Sequence, residues 1–448
     1  MKILTQYRRS VIIAALLLPT LIYGQDTLKT EVANLRPYDK TGINMFEAPK
    51  ENSARFNGLR VNWGAGFTQS FQGLKHENTI TNPNNVLYAM TPGFNTANAN
   101  LFMDVQLADG IRLNLTSYLS ARRHNETWVK GGYIQFDKLP FKGQLWQKLM
   151  EITTIKVGHM EINYGDQHFR RSDGGQTIQN PFVENYILDA FTTEIGGEVY
   201  IRKNALFGMA AVSGGMIKGN IDELKPTAVD NNIKKSPAFY FKGGIDKQLQ
   251  EKLRVRLSAS YYTNNSSASN TLYSGDRTGS NYFMAMEKEI ATPATATAPA
   301  VKSSYTAQAT SGRFTPGFSK KVNALQLNGF VKAAGLEVFA TYEMASGRSA
   351  NETAMRDVSQ FAVDGIYRFG ADESIFLGAR YNTVNAELNG LANDVTIDRI
   401  AFAAGWFVTK NILLKGEYVT QKYKDFAVTD YRNGGKFDGY VIQAVVGF

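Results

Sequence analysis

Residues 253–262 read Leu-Arg-Val-Arg-Leu-Ser-Ala-Ser-Tyr-Tyr. Leu253, Val255, Leu257, Ala259 and Tyr261 take every second position, and Arg254, Arg256, Ser258, Ser260 and Tyr262 fill the places between. Successive side chains of a β-strand point to opposite faces, so this segment has one apolar and one polar wall. About ten residues of such alternation is the length at which a tilted strand crosses a bilayer, apolar to lipid and polar to a lumen.

The pattern recurs in both directions. Toward the C-terminus, Leu325, Leu327 and Val331 oppose Gln326, Asn328 and Lys332. Leu336, Val338, Ala340 and Tyr342 oppose Glu337, Thr341 and Glu343, and Phe361, Val363, Tyr367 and Phe369 oppose Gln360, Asp364 and Arg368. Ile375, Leu377, Ala379 and Tyr381 oppose Arg380 and Asn382, and the chain ends Tyr440, Ile442, Ala444, Val446, Phe448 at every second position. Toward the N-terminus, Leu59, Val61, Trp63, Ala65 and Phe67 alternate with Arg60, Asn62, Gly64 and Gly66. Leu101, Met103, Val105 and Leu107 run into Ile111, Leu113 and Leu115 through Asp109-Gly110, a strong two-residue hairpin signal.

Soluble sandwiches alternate too. Here, however, short turns near 108–110, 202–204, 249–252, 333–335, 370–374 and 409–411 intersperse with long connections near 75–97, 161–188, 216–235, 263–320 and 424–436. Short periplasmic turns and long extracellular loops produce this asymmetry in transmembrane barrels. The apolar faces also carry aromatics near their ends, as interfacial girdles do. The expected fold is therefore all-β: a transmembrane antiparallel barrel over 55–448, of about 16 strands (14 to 18). In the strand at 127–137, Trp128, Ile134 and Phe136 share a face with Lys130, which leaves its orientation open.

The ends fit export. Lys2, Arg8 and Arg9 precede the apolar run Val11 to Ile22, and Gly24 is a small residue at the cleavage position, so 1–24 reads as a removed signal peptide. Residues 25–54 lack alternation and read as a periplasmic N-terminal segment. Residues 139–150 place Leu145, Trp146 and Leu149 at helical spacing, suggesting a short periplasmic helix. Residues 281–290 alternate weakly and are placed in the large loop, and the Ala/Thr/Pro run 291–300 reads as a mobile loop tip.

Composition excludes several functions. The 448 residues include no cysteine and only 4 histidines, which removes disulfides, thiolate metal sites and cysteine nucleophiles. Without the three basic residues of the signal segment the charge excess falls from +9 to +6, too diffuse for nucleic acid. Asp166, His168 and Ser172 lie close in sequence, but activated nucleophiles are defined by geometry, and no catalytic role, metal site or cofactor is assigned to them.

The stretch from Lys156, Lys-Val-Gly-His-Met-Glu-Ile-Asn-Tyr-Gly-Asp-Gln-His-Phe-Arg-Arg-Ser-Asp, resembles a segment of porin-like proteins of Bacteroidetes, where it follows a strand and leads into a long loop. These proteins are distantly similar to the phosphate-selective porin O/P group. Gly-Asp-Arg-Thr-Gly-Ser at 275–280, Gly-Trp-Phe at 405–407, Lys-Gly-Glu-Tyr-Val at 415–419 and the terminal strand ending in Phe448 fit the same resemblance. It implies a pore in the bacterial outer membrane, with an anion preference.

The residues themselves carry mixed charge. The face opposite the apolar one holds Arg112, Arg122, Lys156, Lys242, Arg254, Arg256, Lys332, Arg368, Arg380, Arg399 and Lys415, against Asp104, Glu194, Glu198, Glu337, Glu343, Asp364 and Glu417. Such walls suit a screened polar pore, or pair across neighbouring strands. Loop 161–188 is expected to fold inward as a constriction, with Glu161, Asp166, His168, Arg170, Arg171 and Asp173 at it and Arg170 and Arg171 in contact with solute. A phosphate site would need a basic constriction, whereas this loop also carries Glu161, Asp166, Asp173 and Glu184. The expected function is passive diffusion of small hydrophilic solutes or ions; the alternative is a non-conducting barrel that scaffolds an outer-membrane complex. Expected partners are outer-membrane lipid and small solutes, with a second copy of the chain or outer-membrane partner proteins left open, and no nucleic acid.

Overall fold

The computed structural model describes residues 32–50, 56–79, 82–119, 127–172, 175–218, 221–274, 278–292, 294–297, 299–303 and 310–448. The signal segment, Arg122 and Asp173 lie outside the described residues, as do 275–277 of the 275–280 stretch and parts of the 291–300 run.

Sixteen antiparallel strands close into one barrel. They are β1 (Arg60–Glu77), β2 (Asn98–Ala108), β3 (Ile111–Leu119), β4 (Thr127–Phe136), β5 (Thr153–Glu161), β6 (Thr193–Lys203), β7 (Leu206–Ser213) and β8 (Ala238–Gln250). The second half comprises β9 (Leu253–Asn264), β10 (Lys321–Ala333), β11 (Leu336–Arg348), β12 (Arg356–Phe369), β13 (Ile375–Ala386), β14 (Val395–Thr409), β15 (Ile412–Lys424) and β16 (Lys436–Gly447). One two-residue strand, Gly93–Phe94, adds to β1, and in the large loop Ile290–Thr292 pairs with Val301–Ser303. Each long strand pairs with its sequence neighbours, and β1 closes the circle: residues 60–68 pair with β2 and residues 66–77 with β16. At that seam Phe71 stacks against Tyr440, and Lys436 meets Glu77 at 2.9 Å.

The alternation sets the two faces. Leu257, Leu327, Leu377, Phe402 and Ile442 are exposed on the outside, while Ser258, Tyr262, Gln326, Asn382 and Gln443 are buried inside. An outer wall this apolar is stable only against lipid, and a closed barrel leaves no unpaired edge there. Exposed aromatics collect near both ends: Trp63, Tyr367, Phe369 and Trp406 toward the short turns, Phe239, Tyr261 and Tyr440 toward the long loops. The chain is thus an outer-membrane barrel, with short turns on the periplasmic side and long loops outside.

The register explains the strand that alternation left open. Between β3 and β4 it shifts by one residue at Thr116/Ser117. A bulge of this kind flips every side chain beyond it. Val129 and Ile134 both face out, although an odd number of positions separates them, while Lys130 is buried inside. After β4, α1 (Gln144–Ile152) forms on the short-turn side, with only Met150 of its apolar residues buried.

The lumen is not an empty tube. Loop 162–192 crosses it, and the large loop 265–320 folds in beside it. Phe182, Val183, Ile187, Leu188 and Leu272 are fully buried and form one apolar core with inward wall residues such as Phe376, Leu413 and Val441. Gly165 (φ +72°) lies so close to the wall that a Cβ would collide with Gln326, so only glycine fits that turn. Residues 32–50 close over the short-turn mouth. The Lys40 N–H donates to Lys410 O at 2.9 Å, Arg254 Nη1 donates to Asn44 O at 2.9 Å, and Lys50 Nζ donates to Thr153 O at 2.8 Å. Phe46 packs into a cluster with Phe330, Phe339 and Tyr186.

Candidate functional site

The lumen loop starts where β5 ends. Glu161 Oε1 meets His168 Nδ1 at 2.7 Å, and the other imidazole nitrogen lies 2.9 Å from Asn163 Oδ1. Burial holds His168 below the usual histidine range, against the pull of Glu161. Asp166 accepts from Arg256 Nε and Nη2, both at 2.8 Å, and from Ser258 Oγ at 2.7 Å, and pairs with Lys242 at 2.7 Å. Burial alone would raise the Asp166 carboxyl; Lys242 and Arg256 outweigh it and hold the group below its ordinary value.

Arg170 and Arg171 sit differently from the expected solute contacts. Arg170 donates to Asn44, lies 3.7 Å from Glu337 and is flanked by the Phe330 and Phe339 rings. Arg171 donates to Asp189 through Nε (3.2 Å) and Nη2 (2.6 Å) and stacks over Phe191. Both are buried. Their geometry is that of clamps: Arg170 ties the loop to the N-terminal segment and the wall, and Arg171 ties the loop to itself.

Several inward wall cations hold the plug in the same way, and others pair within the wall. Lys415 Nζ donates to the carbonyls of Thr177 (3.0 Å), Asn180 (2.8 Å) and Phe182 (2.9 Å). Arg399 donates to Asn185 O (2.6 Å), Gln421 and Gly312 O, and Arg380 bridges Asp364 (2.7 and 2.8 Å) and Glu184 O (2.7 Å). Arg368 pairs with Glu337 at 2.7 Å, Arg254 with Asp246 at 2.6 Å, and Arg112 with Asp137. A buried, paired guanidinium offers no free charge to a passing ion.

Asp166, His168 and Ser172 do not converge. Ser172 Oγ donates to Val183 O at 3.1 Å, while Asp166 and His168 bond the partners given above. Among the described residues no three acidic or histidine side chains are grouped to hold a metal ion.

Beside the plug lies a cavity of about 240 Å³ against the wall formed by β2–β6. Its charged lining is Arg36, Lys130, Lys156 and Arg171 against Glu47 and Glu161, with His159 and His168. From Lys156 to Glu161 along β5 is about 17 Å at about 3.4 Å per residue, so the cavity runs from the N-terminal segment toward the outer rim. Arg36, Tyr38 and Glu47 of this lining come from the segment that sequence reasoning set apart from the barrel. The apolar residues Val32, Leu35, Ile43, Met45 and Phe46 within this segment were the available signal of burial.

No protein-family model matches the chain, and no curated protein matches it in sequence. Solved structures do. The anion-selective porin from Comamonas acidovorans is 8% identical, with a TM-score of 0.53 over 87% of this chain and 100% of that one. OmpT, an outer membrane protein of Vibrio cholerae, in a trimer form, is 10% identical, with a TM-score of 0.51 over 88% of this chain and 100% of that one. At this identity the likeness is one of fold.

Proposed function

We propose that the chain is a porin-like channel for passive diffusion of small hydrophilic solutes or ions, with a narrow path in place of a wide pore. The observation that carries this reading is the charged opening along β2–β6, beside loop 162–192, in a lumen that this loop largely fills. Small solutes would pass between the wall and the plug, and the reading includes no catalysis. Of the four cations lining the opening, Lys130 and Arg171 face Glu161 and Asp189, whereas Arg36 bonds carbonyl oxygens and Lys156 lies between two rings. Those last two favour a weak preference for anions, because charge at a constriction outweighs charge in a wide vestibule. That preference is the trait for which the likeness to the phosphate-selective O/P group counts, and the Comamonas fold neighbour is described as anion-selective.

Planar bilayers test this. The wild-type protein is expected to give small discrete current steps and, under a salt gradient, a reversal potential displaced toward anions. In the Arg170→Ala/Arg171→Ala double variant the steps should grow, because the loop loses two clamps. The reversal potential should move toward cations, because Glu337 and Asp189 each lose one cationic partner and keep Arg368 and Arg313. A wild-type protein that never conducts sinks the channel reading.

A second reading draws on the plug itself. Its backbone is hydrogen-bonded to well-separated strands of the wall, at Asn328 of β10 (2.8 Å from Asp166 N) and at Glu417 of β15 (2.8 Å from Val183 N). That suits a barrel serving as a scaffold, for which co-purifying outer-membrane proteins are the test. A homo-oligomer belongs to the channel reading by analogy with the trimer form of the Vibrio barrel, and native mass spectrometry would read it directly.

A further inference from the structure

We infer that the lumen cavity is a binding site for a small organic monoanion, one carboxylate on a flat and otherwise uncharged body, with Lys156 as the cation that receives it. The inference deepens the channel reading, on which it rests for the route of entry.

Lys156 stands apart from the other inward cations. Its ammonium lies 4.9 Å from the ring centre of Tyr133 and 5.1 Å from that of Tyr200. Among the described residues no oxygen accepts a hydrogen bond from it and no carboxylate lies within ion-pair distance. Its cross-strand neighbour in register is Glu198, the obvious partner. That carboxylate is turned away: it accepts from the Tyr200 hydroxyl, the Tyr240 hydroxyl at 3.1 Å and the Asn163 N–H at 3.0 Å. A lysine held between two ring faces beside a saturated carboxylate keeps three N–H donors for a guest. A carboxylate is the acceptor that forms the strongest hydrogen bond with them.

The rest of the lining selects the body. Tyr38 stacks on Phe102 with ring centres 3.8 Å apart, and Phe169 lies on the loop side, so flat apolar surfaces face the space. Asn114, Thr116 and Gln176 can meet hydroxyl groups. The volume of about 240 Å³ holds about eight waters at about 30 Å³ each, or a ring of roughly ten heavy atoms.

Charge limits the guest to one negative group. Glu161 flanks the cavity toward the long loops and Glu47 toward the short-turn mouth, and both are held by neighbours, Glu161 by His168 and Glu47 by Lys242 and Arg256. A guest whose single carboxylate sits at Lys156 presents a neutral body to these two. Inorganic phosphate presents anionic oxygen on every side and meets at least one of them.

The test is calorimetry on the full-length protein in detergent, titrated with sodium benzoate and separately with sodium phosphate. Benzoate should bind at one site per chain and phosphate more weakly. Lys156→Gln, which removes the charge and leaves a polar side chain one atom shorter, should weaken benzoate at least about tenfold, the loss expected for one charged hydrogen bond. Lys332→Gln, at the short-turn rim, should leave it unchanged. Retained heat-modifiability on gels identifies folded variants. Phosphate binding as tightly as benzoate, undiminished benzoate affinity in Lys156→Gln, or no benzoate binding by the wild type would each overturn the site. Parallel current recordings separate the two readings: a protein that binds benzoate yet never conducts loses the channel, and one that conducts without binding loses the site.

Discussion

Replacing Glu184 by alanine should unlatch the two inward loops from each other. This side chain is fully buried and accepts from Arg313 Nε (2.9 Å) and Nη2 (2.7 Å), Ser280 Oγ (2.8 Å), Asn185 N (2.7 Å) and Asn281 N. Loop 162–192 supplies the carboxylate and loop 265–320 supplies the arginine, the serine and Asn281. Removing one member of a buried pair costs about 3–5 kcal/mol, because the other charge is left without it. The strand ladders do not depend on this contact, so the cost falls on the plug. Limited proteolysis should cut the alanine variant within 265–320 and spare the wild type, and bilayer current steps should become larger and noisier. Equal protease resistance in both proteins would show that the loops are held elsewhere. The same latch predicts a pH window. Burial would raise the Glu184 carboxyl, but Arg313 and the other donors hold it below its ordinary 4.5. A group depressed on folding contributes its full stability above the unfolded-state value and loses it as pH falls through the folded-state one. The loops should stay latched at neutral pH and loosen only below about pH 4.5.

On the other side of the wall, Leu327→Arg should destabilise the barrel by about 2–4 kcal/mol, the cost of a cation on the lipid face near mid-membrane. Leu327 is exposed in the middle of β10, between Ala259 and Tyr342 in register. Urea titration of protein refolded in lipid vesicles measures the loss. The proper contrast is Thr116→Arg, whose side chain borders the cavity and has room to turn into it. Ser258→Arg would not serve, although alternation alone makes it a harmless lumen position. Its hydroxyl donates to Asp166 at 2.7 Å in a packed interior, and an added long side chain there costs about 1–3 kcal/mol. Equal losses for Leu327→Arg and Thr116→Arg would reverse the assignment of faces.

That contrast marks what could be read from the chain alone. Strand positions were legible because period-2 alternation is local: β10, β13, β14 and β15 start at Lys321, Ile375, Val395 and Ile412, where the polar turns stop. Where a bulge intervened, near Lys130, alternation left the orientation open, since a one-residue insertion leaves no mark in composition. The contents of the lumen were much harder to see. Loop 162–192 is held by partners from Asn44 to Glu417, and no local pattern encodes contacts of that span. One clue was present. Phe182, Val183, Tyr186, Ile187, Leu188 and Phe191 are dense apolar residues in what must be a connection, and apolar residues in number are buried somewhere. Arg170 and Arg171 were noticed for their charge, and only the three-dimensional neighbours Asn44, Glu337, Asp189 and Phe191 show how that charge is engaged.

The seam between β1 and β16 has a consequence for assembly. The hydrogen bond from Gln443 to Ser70 joins residues 373 positions apart, so the circle cannot complete until nearly the whole polypeptide is in place. Contacts of such separation form late, since the entropy of closing the intervening chain must be overcome first. The crossing loop and the segment at 32–50 are bonded to strands from both halves of the circle, so gathering them while the sheet is still open along one side would help to bring those strands together. Until then two strand edges carry unsatisfied backbone groups. Damage to the interior is therefore expected to surface first as slow or failed closure, before any loss in the finished barrel.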